Sequence, residues 1–403
     1  MFLGDKKISR KPKVFVGLSG GVDSAVSAAL LQKEGYNVTG VFIRIAIDGY
    51  PCTAGEDKLD AMRVAAHLKI PFRTIDLSEE YKKKVFDISI KEFEKGRTPN
   101  PDALCNREIK FGLFFDWCME QGAALVATGH YAQIAPAKSV QKKVLGSPVS
   151  AKTEEAGRPA HFSKQILLLA GADPDKDQSY FLWAVPETKL RKTLFPVGNL
   201  TKPEVRKLAT AFGLPNAARK DSQGLCFLGP VSMDDMLRQE LALVPGDVID
   251  MQGAPIGRHE GAAAYTLGQR HGFELNAHTP DIRPHFVVAK NVAANTITVS
   301  TERFPQSATE TQIELSDTNW IGPYSAEATE GKKLAARYRY RQKLIPAEVD
   351  FDKSIVTLFE PHFVPEGQSL VLYDGQRCLG GGVILTAKYG DIHRESGRHA
   401  RAV

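Results

Sequence analysis

The chain has 403 residues, 43% hydrophobic, 25% charged and 8% aromatic, the balance of an ordinary globular protein long enough for two or three domains. Its 52 basic and 47 acidic residues leave a net charge of +5, too little to announce a nucleic-acid partner, so the placement of the charges matters more than their sum. No run of about 18 apolar residues is present, so no membrane span is expected. Met1 to Lys13 lacks the apolar stretch of a secretory signal, and we expect a cytoplasmic, reduced protein. Five cysteines stand at 52, 105, 118, 226 and 378. No two lie within four positions of each other, which argues against a zinc ribbon or a Cys-x-x-Cys motif. No metal site built from protein ligands is expected.

Val14 to Leu18 is a short apolar run and reads as a buried strand. A Gly-rich turn follows, then helical composition from Ala25 to Lys33. Val38 to Ile43 reads as the second strand. Leu59, Met62, Ala65, Ala66 and Leu68 repeat at helical spacing. Arg73 to Leu77 and Ala123 to Thr128 read as further strands, the latter after a helix around Arg107 to Met119. Strands alternating with helices predict an α/β fold, a parallel sheet covered on both faces. Residues 136–165 read as an insertion loop. A helix is expected from Pro203 to Phe212. Beyond His285 short β runs at 286–289, 296–299, 347–349, 355–358 and 369–372 predict a small antiparallel barrel or sandwich. The expected division is 1–195, 196–285 for a small central adaptor domain, 286–390 for a C-terminal β-barrel, and 391–403 for an Arg-rich, frayed tail.

Ser19-Gly20-Gly21-Val22-Asp23-Ser24 lies between the first strand and the first helix. Glycines let the backbone approach a ligand closely, and a helix N-terminus presents N–H groups to an anion. The absence of Gly-Lys-Ser/Thr excludes a Walker A loop and points to binding through backbone amides. The alternative is an ordinary capped turn. These residues resemble the PP-loop of the N-type ATP pyrophosphatases, which split ATP into AMP and pyrophosphate.

Cys105 follows Asn100-Pro101-Asp102, near the start of the helix expected beyond it. A helix N-terminus favours the thiolate, and Asp102 is a candidate general acid or base. Cys226 sits in a Gly-flanked stretch. Taken singly, each cysteine is more often a packing residue. Together with Cys105-Asn106, Lys110-Phe111-Gly112, Gly129-His130-Tyr131, the run Lys176 to Leu182, Gly224 to Phe227 and Tyr265 to Arg270, however, they resemble the tRNA-specific 2-thiouridylase family, in the family's order over roughly residues 12–388.

That resemblance implies replacement of the C2 oxygen of a wobble uridine by sulfur, with ATP and Mg²⁺. It implies Cys226 as the persulfide carrier, Cys105 as the nucleophile acting on it and Asp102 as the acid–base group. Nucleotide contacts would come from Gly17, Leu18, Ser19, Gly20, Gly21, Val22, Asp23, Ser24, Ile43 and Gly129; for Ile43 a plain core role weighs equally. Contacts to tRNA would come from Asn100, Pro101, Asp102, His130, Lys176, Asp177, Gln178, Arg339, Tyr340 and Gln368. Partners implied are tRNAs for Lys, Glu and Gln and a sulfur donor, either a cysteine desulfurase or a relay protein. Read as a strand, Arg337 to Lys343 would line four basic residues along one face, a track for phosphates. Three rival readings stand beside this one: an ammonia-dependent PP-loop ligase, an inert tRNA-binding protein and a 4-thiouridine-type enzyme. Cys52, which matches a common family position, Cys118 and Cys378 are expected to have no catalytic part.

Overall fold

The computed structural model describes residues 12–51, 53–137, 165–221, 231–276, 283–304, 308–323 and 332–390. The predicted 391–403 tail, the stretch carrying Cys226 and nearly all of the expected 136–165 insertion therefore lie outside the described residues. Two compact units emerge: Met1–Tyr81 with Cys105–Pro230, and Lys82–Leu104 with Val231–Val403.

The first unit is built on a five-stranded sheet. Strands β1 (Lys13–Gly17), β2 (Asn37–Arg44), β3 (Phe72–Asp76) and β4 (Leu125–Ala127) appear where the apolar runs place them. A hairpin, β5 (Ala132–Pro136) with β6 (Ile166–Ala170), and the two-residue β7 (Thr193–Leu194) follow. The order is β3-β2-β1-β4-β7, all parallel. Chain direction across the sheet reverses between β1 and β4, and in such sheets ligands bind beyond the C-terminal strand ends at that point.

Alternation along β1 sorts its side chains between the two faces. Val14 and Val16 join a core with Val26 of α1 (Val22–Lys33), Ala65 of α2 (Ala54–Leu68) and Val205 and Ala209 of α3 (Lys202–Ala211). Phe15 points the other way, its ring 6.2 Å from that of Trp117. Helix α3 was expected in the central division; its Val205 and Ala209, fully buried, seat it on this sheet instead.

In the second unit, β8 (Gly246–Ile249), β9 (Pro255–His259), β10 (Phe273–Leu275), β11 (Phe286–Asn291) and β12 (Thr296–Ser300) form a sheet of order β10-β9-β8-β12-β11. The strands predicted at 286–289 and 296–299 thus join this middle sheet and not the barrel, because β12 pairs in parallel with β8. The barrel contains β13 (Glu310–Trp320), β14 (Leu334–Arg337), β15 (Ile345–Asp350), β16 (Ile355–Leu358), β17 (Ser369–Asp374) and β18 (Arg377–Gly390). Neighbours are antiparallel, in the order β13-β16-β15-β14-β17-β18, and β13 pairs back onto β18 to close it. Closure removes the free strand edges that an open sheet of this size would expose. No helix among the described residues is long and apolar enough to cross a membrane.

The basic–aromatic stretch is not a strand. β14 ends at Arg337, and Gln342 folds its carboxamide back to accept from the amides of Tyr338 (3.0 Å) and Arg339 (3.1 Å). Arg341 takes a left-handed φ of 60° in the resulting turn. Arg337 is buried and donates to the Tyr373 hydroxyl at 2.7 Å, whereas Arg341 is exposed, its guanidinium 5.1 Å from the Tyr340 ring centroid. The side-chain capture of two amides outcompetes ladder pairing, so the four basic residues do not share a face.

Candidate active site

The loop between β1 and α1 is shaped by its glycines and serines. Gly20 has φ +79°, and a Cβ there would stand 2.5 Å from the Asp57 carbonyl oxygen. Only glycine fits, since that conformation costs other residues about 1–2 kcal/mol even without the clash. Gly21 is the N-cap of α1 and supplies no side-chain cap. The first-turn N–H groups of a helix have no partner within it. Ser24 Oγ lies 3.2 Å from the Ser19 amide and 3.3 Å from Ser19 Oγ, so two hydroxyls sit at the loop's mouth. Amides, hydroxyls and a positive dipole end suit an anion such as a polyphosphate.

The loop after β4 closes against this turn. A Cβ on Gly129 would stand 2.7 Å from the Ser24 amide nitrogen and 2.9 Å from Asp23 carbonyl carbon. The glycine therefore lets two strand-end loops touch at the switch point. Gly17 and Leu18 lead into the loop, Leu18 being buried and its amide donating to Val41 O at 2.8 Å. Ile43 is half-buried on β2, in register with Ile75. Val22 is buried in the core beneath the loop.

A network of charges that sequence reasoning missed surrounds Asp23. The Tyr131 hydroxyl donates to Asp23 Oδ1 at 2.7 Å, and Lys202 Nζ reaches Oδ1 and Oδ2 at 2.7 and 2.9 Å. Lys202 also pairs with Asp221 (2.8 Å), which in turn takes Lys176 (2.7 Å) and Arg206 (2.5 Å). Burial pushes the Asp221 carboxyl up, but the hydrogen bonds and charges of Lys176 and Lys202 outweigh it and hold the group well below the ordinary carboxylate range. Asn216 donates to Gly20 O at 2.7 Å, and Arg219 bridges Asp57 and Asp60. The one signal in the sequence was the cluster of charged residues between 202 and 221; nothing in it names their partners.

Of the residues expected to touch tRNA, several are engaged within the fold. Asp177 is buried and accepts from the amides of Gly171 and Ser179 and from the Ser179 hydroxyl, each at 3.0 Å. Gln178 exchanges hydrogen bonds with both backbone groups of Tyr131. His130 is buried between Phe111 and Phe195, with Nδ1 2.8 Å from Thr128 Oγ1. Burial, aided by the Lys110 charge, holds its pKa well below the usual histidine value, so it is neutral. Lys176 and Gln178 remain half-buried. In the second unit the half-buried Arg339 donates to Leu267 O, and Gln368 Oε1 accepts from the Ser369 amide at 2.9 Å.

Asn100-Pro101-Asp102 starts a helix. Asn100 Oδ1 accepts from the Ala103 amide at 3.1 Å, and Pro101 holds the first helical position, the arrangement expected of an N-cap followed by proline. The helical run passes from Pro101–Leu104 into a π-helical stretch, Cys105–Leu113, and then Phe114–Glu120. Such wide turns are rare and occur disproportionately at functional sites. Cys105 thus follows a full turn of helix instead of opening one, and a dipole's influence fades within the first turn. It is fully buried, as are Cys118 and Cys378. Burial also pushes the Cys118 thiol far up, which makes it inert. Among the described residues no group of three or more His, Cys, Asp or Glu could hold a metal ion.

Comparison with known proteins covers nearly the whole chain. Residues 12–230 match the tRNA methyl transferase HUP domain model, 234–301 the tRNA methyl transferase PRC-barrel domain, and 310–384 the aminomethyltransferase beta-barrel domain. The tRNA-specific 2-thiouridylase MnmA of Streptococcus sanguinis (strain SK36) is 38% identical over 381 residues, 93% of this chain and 95% of that one. Its namesake in Lacticaseibacillus paracasei is 38% identical over 388 residues, 93% and 94% of the two chains. The domain models speak of methyl transfer, whereas these full-length relatives are named for thiolation. A glycine-shaped loop at the switch point of a parallel sheet, a middle sheet and a closed barrel, matched along their length at this identity, make the chain a member of the tRNA-specific 2-thiouridylase family.

Proposed function

We propose that this protein is a tRNA uridine 2-sulfurtransferase, using ATP to activate the C2 oxygen of a wobble uridine and a cysteine persulfide to replace it. Full-length identity with 2-thiouridylases carries this reading, and the glycine-shaped anion cradle of Ser19–Ser24 with Gly129 supports the use of ATP. Magnesium would enter with the nucleotide, held by phosphate oxygens and water, which suits a cation that keeps much of its hydration.

The chemistry follows from leaving-group ability. A carbonyl oxygen leaves poorly; once adenylated, with release of pyrophosphate, it departs as AMP. The terminal persulfide sulfur on Cys226 then attacks C2. The Cys105 thiolate attacks the Cys226 sulfur, breaking the S–S bond, leaving sulfur on the base and forming a Cys105–Cys226 disulfide that a cellular thiol reduces. Asp102 moves the proton. Because Cys105 is fully buried, the step requires an opening motion, which we assign to tRNA binding. The target uridine must leave its stack, so the reading includes a flipped base. Ile43, Asn100, Pro101, Lys176, Gln178, Arg339, Tyr340 and Gln368 keep the binding parts given above. For His130 and Asp177, both buried, the part is to hold the loops that bind. A donor protein must reload Cys226, and tRNAs for Lys, Glu and Gln are the expected acceptors, in the cytoplasm.

Purified protein, tRNA, ATP and a persulfide donor should yield 2-thiouridine, AMP and pyrophosphate, read by nucleoside mass spectrometry. Formation of 4-thiouridine instead, or full activity in Cys105→Ser and Cys226→Ser, would overturn the proposal.

A further inference from the structure

The Ser19–Ser24 loop contains no lysine, yet one faces it. Lys202 stands 179 positions after Asp23 and opens helix α3. Its side chain is 13% exposed. Its ammonium donates to both oxygens of Asp23 at 2.7 and 2.9 Å and lies 2.8 Å from Asp221 Oδ1; its backbone amide donates to Asp173 Oδ2 at 2.8 Å.

For stability alone this is a poor place for a cation. The first turn of a helix is the positive end of its dipole, and burial strips water from the charge. The aspartates offset both costs. Asp23, Asp173 and Asp221 balance Lys176, Lys202 and Arg206, so the cluster is neutral. Asp23, however, belongs to the first turn of α1, whose amides form the anion cradle. Its carboxylate is thus already a negative group at that cradle, and Lys202 is bound to it. The Tyr131 hydroxyl, 2.7 Å from Asp23 Oδ1, would keep Asp23 partnered if Lys202 turned away.

We propose that Lys202 is the phosphate-binding lysine of this site: Asp23 is its resting counter-ion, and an incoming triphosphate takes over part of that ammonium's coordination with its pyrophosphate portion. The inference rests on the ATP-dependent reading above. A Walker loop carries such a lysine within the loop itself; here the same charge would come from a different helix, where it neutralises the negative charge that develops on departing pyrophosphate.

The test is calorimetric titration of the full-length protein with ATP, pyrophosphate and AMP, for wild type, Lys202→Gln and Lys202→Arg. The glutamine variant should bind ATP and pyrophosphate at least about tenfold more weakly, with AMP within about twofold of wild type, and the arginine variant should recover most of the loss. Equal weakening toward ATP and AMP would mark a merely structural lysine and overturn the proposal, as would an unchanged ATP affinity. Wild-type protein that binds none of the three ligands would overturn the nucleotide reading along with it. If the glutamine variant does not fold, acylation footprinting of wild type decides: pyrophosphate, but not AMP, should protect Lys202, and equal labelling with both would refute the assignment.

Discussion

Replacing Gly129 by alanine tests whether the loops after β1 and β4 share one ligand. The new Cβ would lie 2.7 Å from the Ser24 amide nitrogen, against an ordinary contact beginning at 3.4 Å, and its nearest neighbours include backbone atoms that cannot swing aside. The two loops must therefore part by about 0.7 Å. A hydrogen bond of about 2.9 Å from a first-turn amide to a phosphate oxygen would stretch to about 3.6 Å, outside bonding range. Losing one hydrogen bond to a charged group costs about 1.5–3 kcal/mol, so the Kd for ATP should rise roughly tenfold to a hundredfold. Overpacking adds about 1–3 kcal/mol of destabilisation. Calorimetric titration with ATP, beside a thermal melt that certifies folding, measures both. Gly55→Ala is the control, since a Cβ there meets nothing within 4 Å and ATP affinity should not move. A folded Gly129→Ala protein that binds ATP within twofold of wild type would refute the shared site.

Two further outcomes are expected. Burial lowers the Lys290 pKa from 10.5 to about 8, with Glu366 opposing, while its Nζ donates to Tyr265 O. The unfolded chain then binds more protons between those values, so stability rises with pH from about 8 to 10.5, by about 3 kcal/mol in all. Denaturant melts at pH 7.5 and 10 should show most of that gain, about 2 kcal/mol, in wild type relative to Lys290→Met; parallel pH profiles in the two would disprove the burial argument. In titration with a thiol reagent, native wild type and Cys105→Ser should show the same fast amplitude, because Cys105 is fully buried. Loss of one fast thiol in the variant would mean that Cys105 is open without tRNA.

What was legible in the sequence is what is decided locally. The Ser19–Ser24 loop is a strand-to-helix turn whose glycines, hydroxyls and N-terminus act over six residues, so its geometry reads directly from their order. The strands and helices of the first sheet follow from short apolar runs and from helical spacing, as in Val14 to Leu18. The Arg337–Lys343 stretch shows the limit. Alternation suggested a strand, but one carboxamide, that of Gln342, captures two amides, and no period in the sequence reports such a capture.

Partnerships across long separations belong to the tertiary structure alone. Cys105 could be read as opening a helix, whereas an earlier start at Pro101 carries it one turn in, and the surrounding packing buries it. The fold of β12 onto β8, and not into the barrel, depends on a pairing that neither strand encodes alone. Asp23 and Lys202 lie 179 positions apart, and nothing in the sequence pairs the loop's aspartate with that lysine. Folding brings them to 2.7 Å at the Ser19–Ser24 loop. Sequence periodicity reports which face of an element is apolar; which charges share that element's end is set only when helices from distant parts of the chain pack on the same sheet.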